Sequence, residues 1–88
     1  MGKASGNILL VDDDEFVILS IKLLLEPHFS SVKTVNNPER IPALFEHEQF
    51  DVVVLDMNFR QGDTTGNQGR FWLKKIISIS PDTQVVLV

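Results

Sequence analysis

No cysteine occurs in the 88-residue chain. That excludes disulfides and thiolate metal sites and suits a reducing compartment without requiring one. Long hydrophobic runs are missing too: the richest stretch, "FVILSIKLLL", is too short to span a bilayer and is interrupted by Lys22, so no membrane association is expected. The "MGKASGN" lead has none of the organisation of a signal peptide, which makes a cytoplasmic location the default and residues 1–6 a flexible lead. Positive charge is sparse, with eight scattered Lys and Arg against a formal net charge of -4. Phosphate backbones are bound by clustered cations, so this segment is not expected to contact nucleic acid directly. At 43% apolar and 23% charged the composition is that of an ordinary globular protein, and no biased tract suggests disorder. The length allows one domain, residues 1–88, and no separate catalytic module.

What is present in excess is local negative charge. In "NILLVDDDEF" four apolar residues stop at Asp12, Asp13, Asp14 and Glu15. Adjacent carboxylates repel one another, and such a cluster becomes favourable when a cation sits among them. Ile8 to Val11 read as a short strand covered on both faces, with the aspartates at its carboxyl end. From Asp14 to Glu26 the pattern turns helical, with Val17, Ile21, Leu24 and Leu25 expected on the core stripe and Pro27 closing the helix. Phe16, Ile18, Leu19 and Leu23 are then in excess, and some could face a partner.

Ser31 to Val35 predict a second strand, and "NNP" a turn into a helix that runs to about Glu48. A start at Asn37 would leave Pro42 inside the helix at the expense of a hydrogen bond, so a late or irregular start is expected. "FDVVVLDMN" repeats the opening theme, a buried strand from Val52 to Leu55 that again ends in an aspartate, Asp56. After the polar loop "RQGDTTGNQG", Arg70 to Ser80 predict a helix with Leu73, Ile76 and Ile77 facing the core, and "TQVVLV" a fourth strand. The order β-α-β-α-β-α-β is that of an open, doubly wound parallel sheet with helices on both faces.

Ligands of such sheets bind beyond the carboxyl ends of the strands, where Asp12, Asp13 and Asp56 all fall. If the two strands are neighbours, the three carboxylates form a pocket of hard oxygen ligands suited to Mg2+ or Mn2+. An ion held there keeps waters that a phosphate can displace, and a carboxylate beside it can act as a nucleophile.

The blocks "ILLVDDDE", "FDVVVLDMN" and "GRFWLKKI" resemble the successive blocks of a two-component response-regulator receiver domain, over nearly the whole chain. The resemblance implies a flavodoxin-like sheet with strand order 2-1-3-4. It also implies a function: Asp56 as the catalytic phosphoacceptor, taking a phosphoryl group from a sensor histidine kinase. The metal ligands carried over are Asp13 directly, Asp12 through water or as a residue that helps orient the site, Asp56, and the backbone carbonyl of Asn58. The implied partners are that kinase and an output domain, and the implied role is signalling rather than turnover of an external substrate. Two departures stand out. Receivers usually read Met-Pro where this chain has Phe59 and Arg60, and the loop before Gly69 holds an insertion of about five residues within 61–68. "DMNF" with this loop is similar to receivers of alternative-sigma-factor-dependent enhancer-binding activators, whose output is an ATPase plus a DNA-binding domain. Relative to the family, the chain is expected to lack a fifth strand, the last helices, a switch Thr or Ser and a phosphate-binding Lys. The edge strand "QVVLV" would then be exposed, inviting a homodimer or a segment-swapped oligomer.

Plainer readings compete at each point. Asp12 and Asp13 could serve only as solvated charge at a helix start. Asp56 could be a strand-ending turn residue, and the departures at Phe59 and Arg60 allow a degenerate receiver that acts as a phosphorylation-independent interaction module. A haloacid-dehalogenase-like phosphatase would want an aspartate at position 58, which is Asn58. "GDTTGNQG" lacks the Walker lysine, and a calcium loop from "DMNFRQGD" fails at Arg60. His28 and His47 have no companion ligands and read as surface residues, and Trp72 reads as packing.

Overall fold

Parallel pairing of short apolar strands builds the fold. A computed structural model describes residues 4–56 and 67–88, so the expectations for Asn58, Phe59 and Arg60, and for most of the loop 61–68, fall outside the described residues. The elements are β1 (Ala4–Val11), α1 (Glu15–Leu25), β2 (Phe29–Val35), a 3-10 turn (Pro38–Arg40), α2 (Ile41–His47), β3 (Val52–Leu55), α3 (Asn67–Ile79) and β4 (Gln84–Leu87). All pairings are parallel and the sheet order is β2-β1-β3-β4, the 2-1-3-4 arrangement predicted from the sequence.

The central strand justifies its all-apolar sequence. Ile8, Leu9, Leu10 and Val11 are all buried because helices cover both faces of β1. On one face Leu9, Val11, Val53 and Leu55 meet Ile41 from α2 and Trp72 and Ile76 from α3, with Val35 and Phe50 completing the main core. Phe45 and Phe50 pack edge to face with centroids 5.2 Å apart. The other face is covered by α1, which packs on β1 and β2. Val52 and Val54 of β3 therefore stay half-buried rather than fully covered as the continuous run suggested. In β4 only Val85 turns to the core, whereas Val86 and Leu87 are exposed.

Pro42 explains the break between Asn37 and α2. Asn37 caps the 3-10 turn by accepting from the Glu39 N–H, and α2 then starts afresh at Ile41 with Pro42 in its first turn, where no helical hydrogen bond is lost. The expected irregular start has this physical form.

Several helix faces differ from expectation. In α1 the half-buried residues are Ile18, Ile21, Lys22 and Leu25; Val17 is exposed and Leu24 is 71% exposed, so neither belongs to the core stripe. Only Glu15, Ser20 and Lys22 are polar in α1, so the period had little contrast to define its phase. In α3 the inner stripe is Gly69, Trp72, Leu73 and Ile76, while Ile77 is half exposed. This i, i+3, i+4, i+7 set differs from the expected one by trading Ile77 for Trp72.

β1 also begins earlier than Ile8, within the lead expected over residues 1–6. Between the pairs Ala4–Phe29 and Asn7–Ser31, β1 holds one residue more than β2, a bulge at which Gly6 adopts φ 145°. Asp51 fastens it: its Oδ2 accepts the Asn7 N–H at 2.8 Å, and Asn7 Nδ2 donates to the Gln49 carbonyl at 3.0 Å.

Candidate metal and phosphoacceptor site

Strand register brings the carboxylates together. Val11 and Leu55 are Cα partners at the ends of β1 and β3, so the residues that follow them, Asp12 and Asp56, leave the sheet side by side. Two further ladder bonds extend past the strands: the Asp56 N–H donates to the Val11 carbonyl at 3.0 Å, and the Asp12 N–H to the Val35 carbonyl at 3.2 Å. The backbone is thus held by ladder bonds up to Asp12 and Asp56 themselves. Asp13 follows in the turn to α1, and one carboxylate oxygen from each of Asp12, Asp13 and Asp56 lies within 4.8 Å of the others. Three of the four site residues expected from the sequence converge; Asn58 lies outside the described residues.

The three carboxylates differ in environment. Asp12 is buried, Asp56 half-buried and Asp13 exposed. Burial pushes the Asp12 carboxyl above the usual carboxylate value; the Asp14 N–H, donating to Asp12 Oδ1 at 2.9 Å, opposes this, while the charges of Asp56 and Asp13 and a hydrogen bond shared with Asp56 reinforce it. Asp12 therefore holds its proton more tightly than a solvated aspartate would. The donor set is three hard oxygens with no nitrogen or sulfur, so the residues fit Mg2+ or Mn2+, with water completing the shell.

The first helix is anchored at the same turn. Asp14 Oδ1 accepts the N–H groups of Phe16 at 2.9 Å and Val17 at 3.3 Å, which makes Asp14 the N-cap of α1. The sequence marks Asp14 as a helix start, and its N–H bond to Asp12 Oδ1 is the i, i+2 Asx-turn contact that aspartate favours. Beneath the site, β3 is braced from its far end: Thr83 Oγ1 donates to the Phe50 carbonyl at 2.7 Å and lies 2.7 Å from Ser80 Oγ. His28 and His47 are exposed, and neither belongs to the carboxylate cluster. No helix among the described residues is long and apolar enough to cross a membrane.

Comparison with known proteins agrees with this arrangement. Residues 8–88 match the response regulator receiver domain family. The transcriptional regulatory protein AlgB of alginate biosynthesis, from Pseudomonas syringae pv. tomato, is 34% identical over 61 residues, covering 69% of this chain and 13% of that protein. Among solved structures, the N-terminal signal receiver domain of a two-component response regulator from Bacteroides fragilis superposes with a TM-score of 0.80 at 39% identity. That match covers 97% of this chain and 65% of the other. The BeF3-activated receiver domain of DrrB superposes at 0.70 with 30% identity, covering 94% of this chain and 64% of the other. The chain thus spans a small part of its regulatory relative and just under two thirds of these receiver structures. With the family matched over almost its entire length and the 2-1-3-4 sheet carrying aspartates at its carboxyl edge, the chain belongs to the response regulator receiver domain family.

Proposed function

We propose that the domain is a phosphoacceptor switch in which Asp56 receives a phosphoryl group from the phosphohistidine of a sensor kinase, in a reaction that needs Mg2+ or Mn2+. The observation that carries this reading is the convergence of Asp12, Asp13 and Asp56 to within 4.8 Å at the carboxyl edge of the sheet. In the transfer, a carboxylate oxygen of Asp56 attacks phosphorus; the new O–P bond forms as the P–N bond breaks, and the leaving imidazole keeps the electron pair and takes up a proton. A bound divalent cation supplies neutralisation of the phosphoryl oxygens. Asp13 and Asp12 would hold that cation, and by family resemblance the Asn58 carbonyl would be a further ligand. The ladder bond from the Asp56 N–H to Val11 keeps the nucleophile at the strand end, so that little motion precedes attack.

The acyl phosphate adds about 1.5 to 2 negative charges at the end of β3 and shifts a conformational equilibrium read by an output domain. The likeness to AlgB supports a transcriptional output, and the BeF3-activated form of the DrrB receiver supports phosphorylation as the trigger. The loop resemblance favours an enhancer-binding activator with ATPase and DNA-binding domains. The domain works in the cytoplasm beside its kinase and has no external substrate to turn over.

The test is intact-mass spectrometry after incubation with acetyl phosphate, with Mg2+ or with EDTA, for the wild type and Asp56→Asn. One phosphate on the wild type, dependent on Mg2+ and missing from the variant, is the expected result. No modification of the wild type would favour a phosphorylation-independent interaction module, and continuous release of phosphate with steady turnover would favour a hydrolase.

A further inference from the structure

A third aspartate in the turn from β1 to α1 links the carboxylate cluster to the helix. Asp14 is extended, with φ -95° and ψ 108°, and its side chain caps α1 through the Phe16 and Val17 N–H groups. Its own backbone N–H donates to Asp12 Oδ1 at 2.9 Å. The two interactions share one residue: the side chain ties the turn to the helix, and the backbone ties Asp12 to the turn. Asp12 is only 8% exposed, so water has little access to replace that donor.

We infer that Asp14 is a positioning residue for the cation site: by capping α1 it holds its own N–H against Asp12 Oδ1, fixes the rotation of the Asp12 carboxylate, and leaves the other oxygen available to the ion. The inference rests on the reading of Asp12, Asp13 and Asp56 as that site. A cap needs an acceptor oxygen rather than a charge, so Asn or Ser at position 14 preserves the arrangement and Ala does not. Partners that orient a ligand typically change metal affinity 10- to 100-fold when removed, and loss of the cap loosens the Asp12 donor without deleting it, so the low end, about tenfold, applies.

The experiment is a Mn2+ titration of the 88-residue chain, read by electron paramagnetic resonance of the free ion, for wild type, Asp14→Asn, Asp14→Ser and Asp14→Ala. Circular dichroism fixes a temperature at which all are folded. Asp14→Gly serves as a second variant without the acceptor, because glycine is tolerated at helix starts should Ala prevent folding. Asn and Ser are expected to bind within about twofold of wild type, since an exposed charge is screened by salt. Ala and Gly are expected to bind about tenfold more weakly. If Ala and Gly lower the melting temperature but leave the Mn2+ affinity of the folded protein unchanged, the cap is structural only and the inference falls. It falls equally if Asn weakens binding as much as Ala, because the charge would then be the cause. A wild type that takes up no Mn2+ would overturn the cation-site reading together with the inference, whereas the first two outcomes overturn the inference alone.

Discussion

Replacing Asp12 with Asn should stabilise the protein without divalent ions and, on the proposed cation-site reading, abolish the stabilisation expected from Mg2+. Asp12 and Asp56 present oxygens within 4.8 Å of one another. Two unit charges at that distance repel by about 1 kcal/mol in a water-like dielectric and about 3 kcal/mol at an effective constant of about 20. Asn keeps an Oδ1 acceptor for the Asp14 N–H, and its amide can donate where the Asp12 acid proton would lie toward Asp56, so repulsion is removed with little lost hydrogen bonding. A gain of about 1 kcal/mol or more corresponds to a rise of about 4 °C or more in Tm for a domain of this size. The assay is thermal unfolding by circular dichroism in EDTA and in saturating Mg2+. The pH dependence carries a definite sign. The folded-state pKa of Asp12 lies above its ordinary value of 3.8, so the folded protein binds the proton more tightly than the unfolded chain. That contribution to stability is complete below pH 3.8 and is lost as pH rises through the raised value. The advantage of Asp12→Asn in EDTA should therefore grow over that interval, and Mg2+ should bind wild type more weakly towards acid. An Asp12→Asn protein no more stable than wild type in EDTA, at any pH, would refute the reasoning.

Three further expectations concern the scaffold. Thr83→Val keeps the shape but strands the buried Phe50 carbonyl, which should cost about 1–3 kcal/mol by denaturant unfolding. Ile76, fully buried between α3 and the sheet, should cost about 2–5 kcal/mol as Ile76→Ala in the same assay. Gly6→Ala meets both a φ of 145° and Asp51 Oδ2 at 3.0 Å from the new Cβ, so it should lose about 1–3 kcal/mol and speed amide exchange of Asn7, whose N–H is bonded to that carboxylate.

How much of this was legible in the sequence depended on whether the determining contacts are local. The two apolar strands ending in Asp12 and Asp56 were plain, because β1 and β3 sit at the centre of the sheet, although only β1 is buried on both faces and β3 leaves Val52 and Val54 half-buried. The alternation of strands and helices marked an open parallel sheet, whereas the 2-1-3-4 order came from the resemblance to receiver domains. Pro42 announced the broken entry to α2. The phase of α1 was not legible, since an almost wholly apolar helix offers several equivalent stripes and the Asp14 cap and the packing on β1 and β2 select one. Trp72 replaced Ile77 in the core because α3 meets α2 and the sheet through its larger side chain. The extension of β1 to Ala4 depends on Asp51, 44 residues from its partner Asn7, a contact that no local pattern encodes. The acid cluster was legible as chemistry, but the inequality within it, with Asp12 buried and Asp13 exposed, emerges only from the fold.

The most direct measurement of the assigned chemistry is to locate the phosphoryl group. After incubation with acetyl phosphate and Mg2+, borohydride reduction converts an aspartyl phosphate to homoserine, and peptide mass spectrometry identifies the converted position. Homoserine at position 56, lost when Mg2+ is withheld and lost again in Asp56→Asn, is the expected result. Conversion at Asp12 or Asp13 with Asp56 intact would contradict the assignment of Asp56 as nucleophile and of the other two as its cation-binding partners.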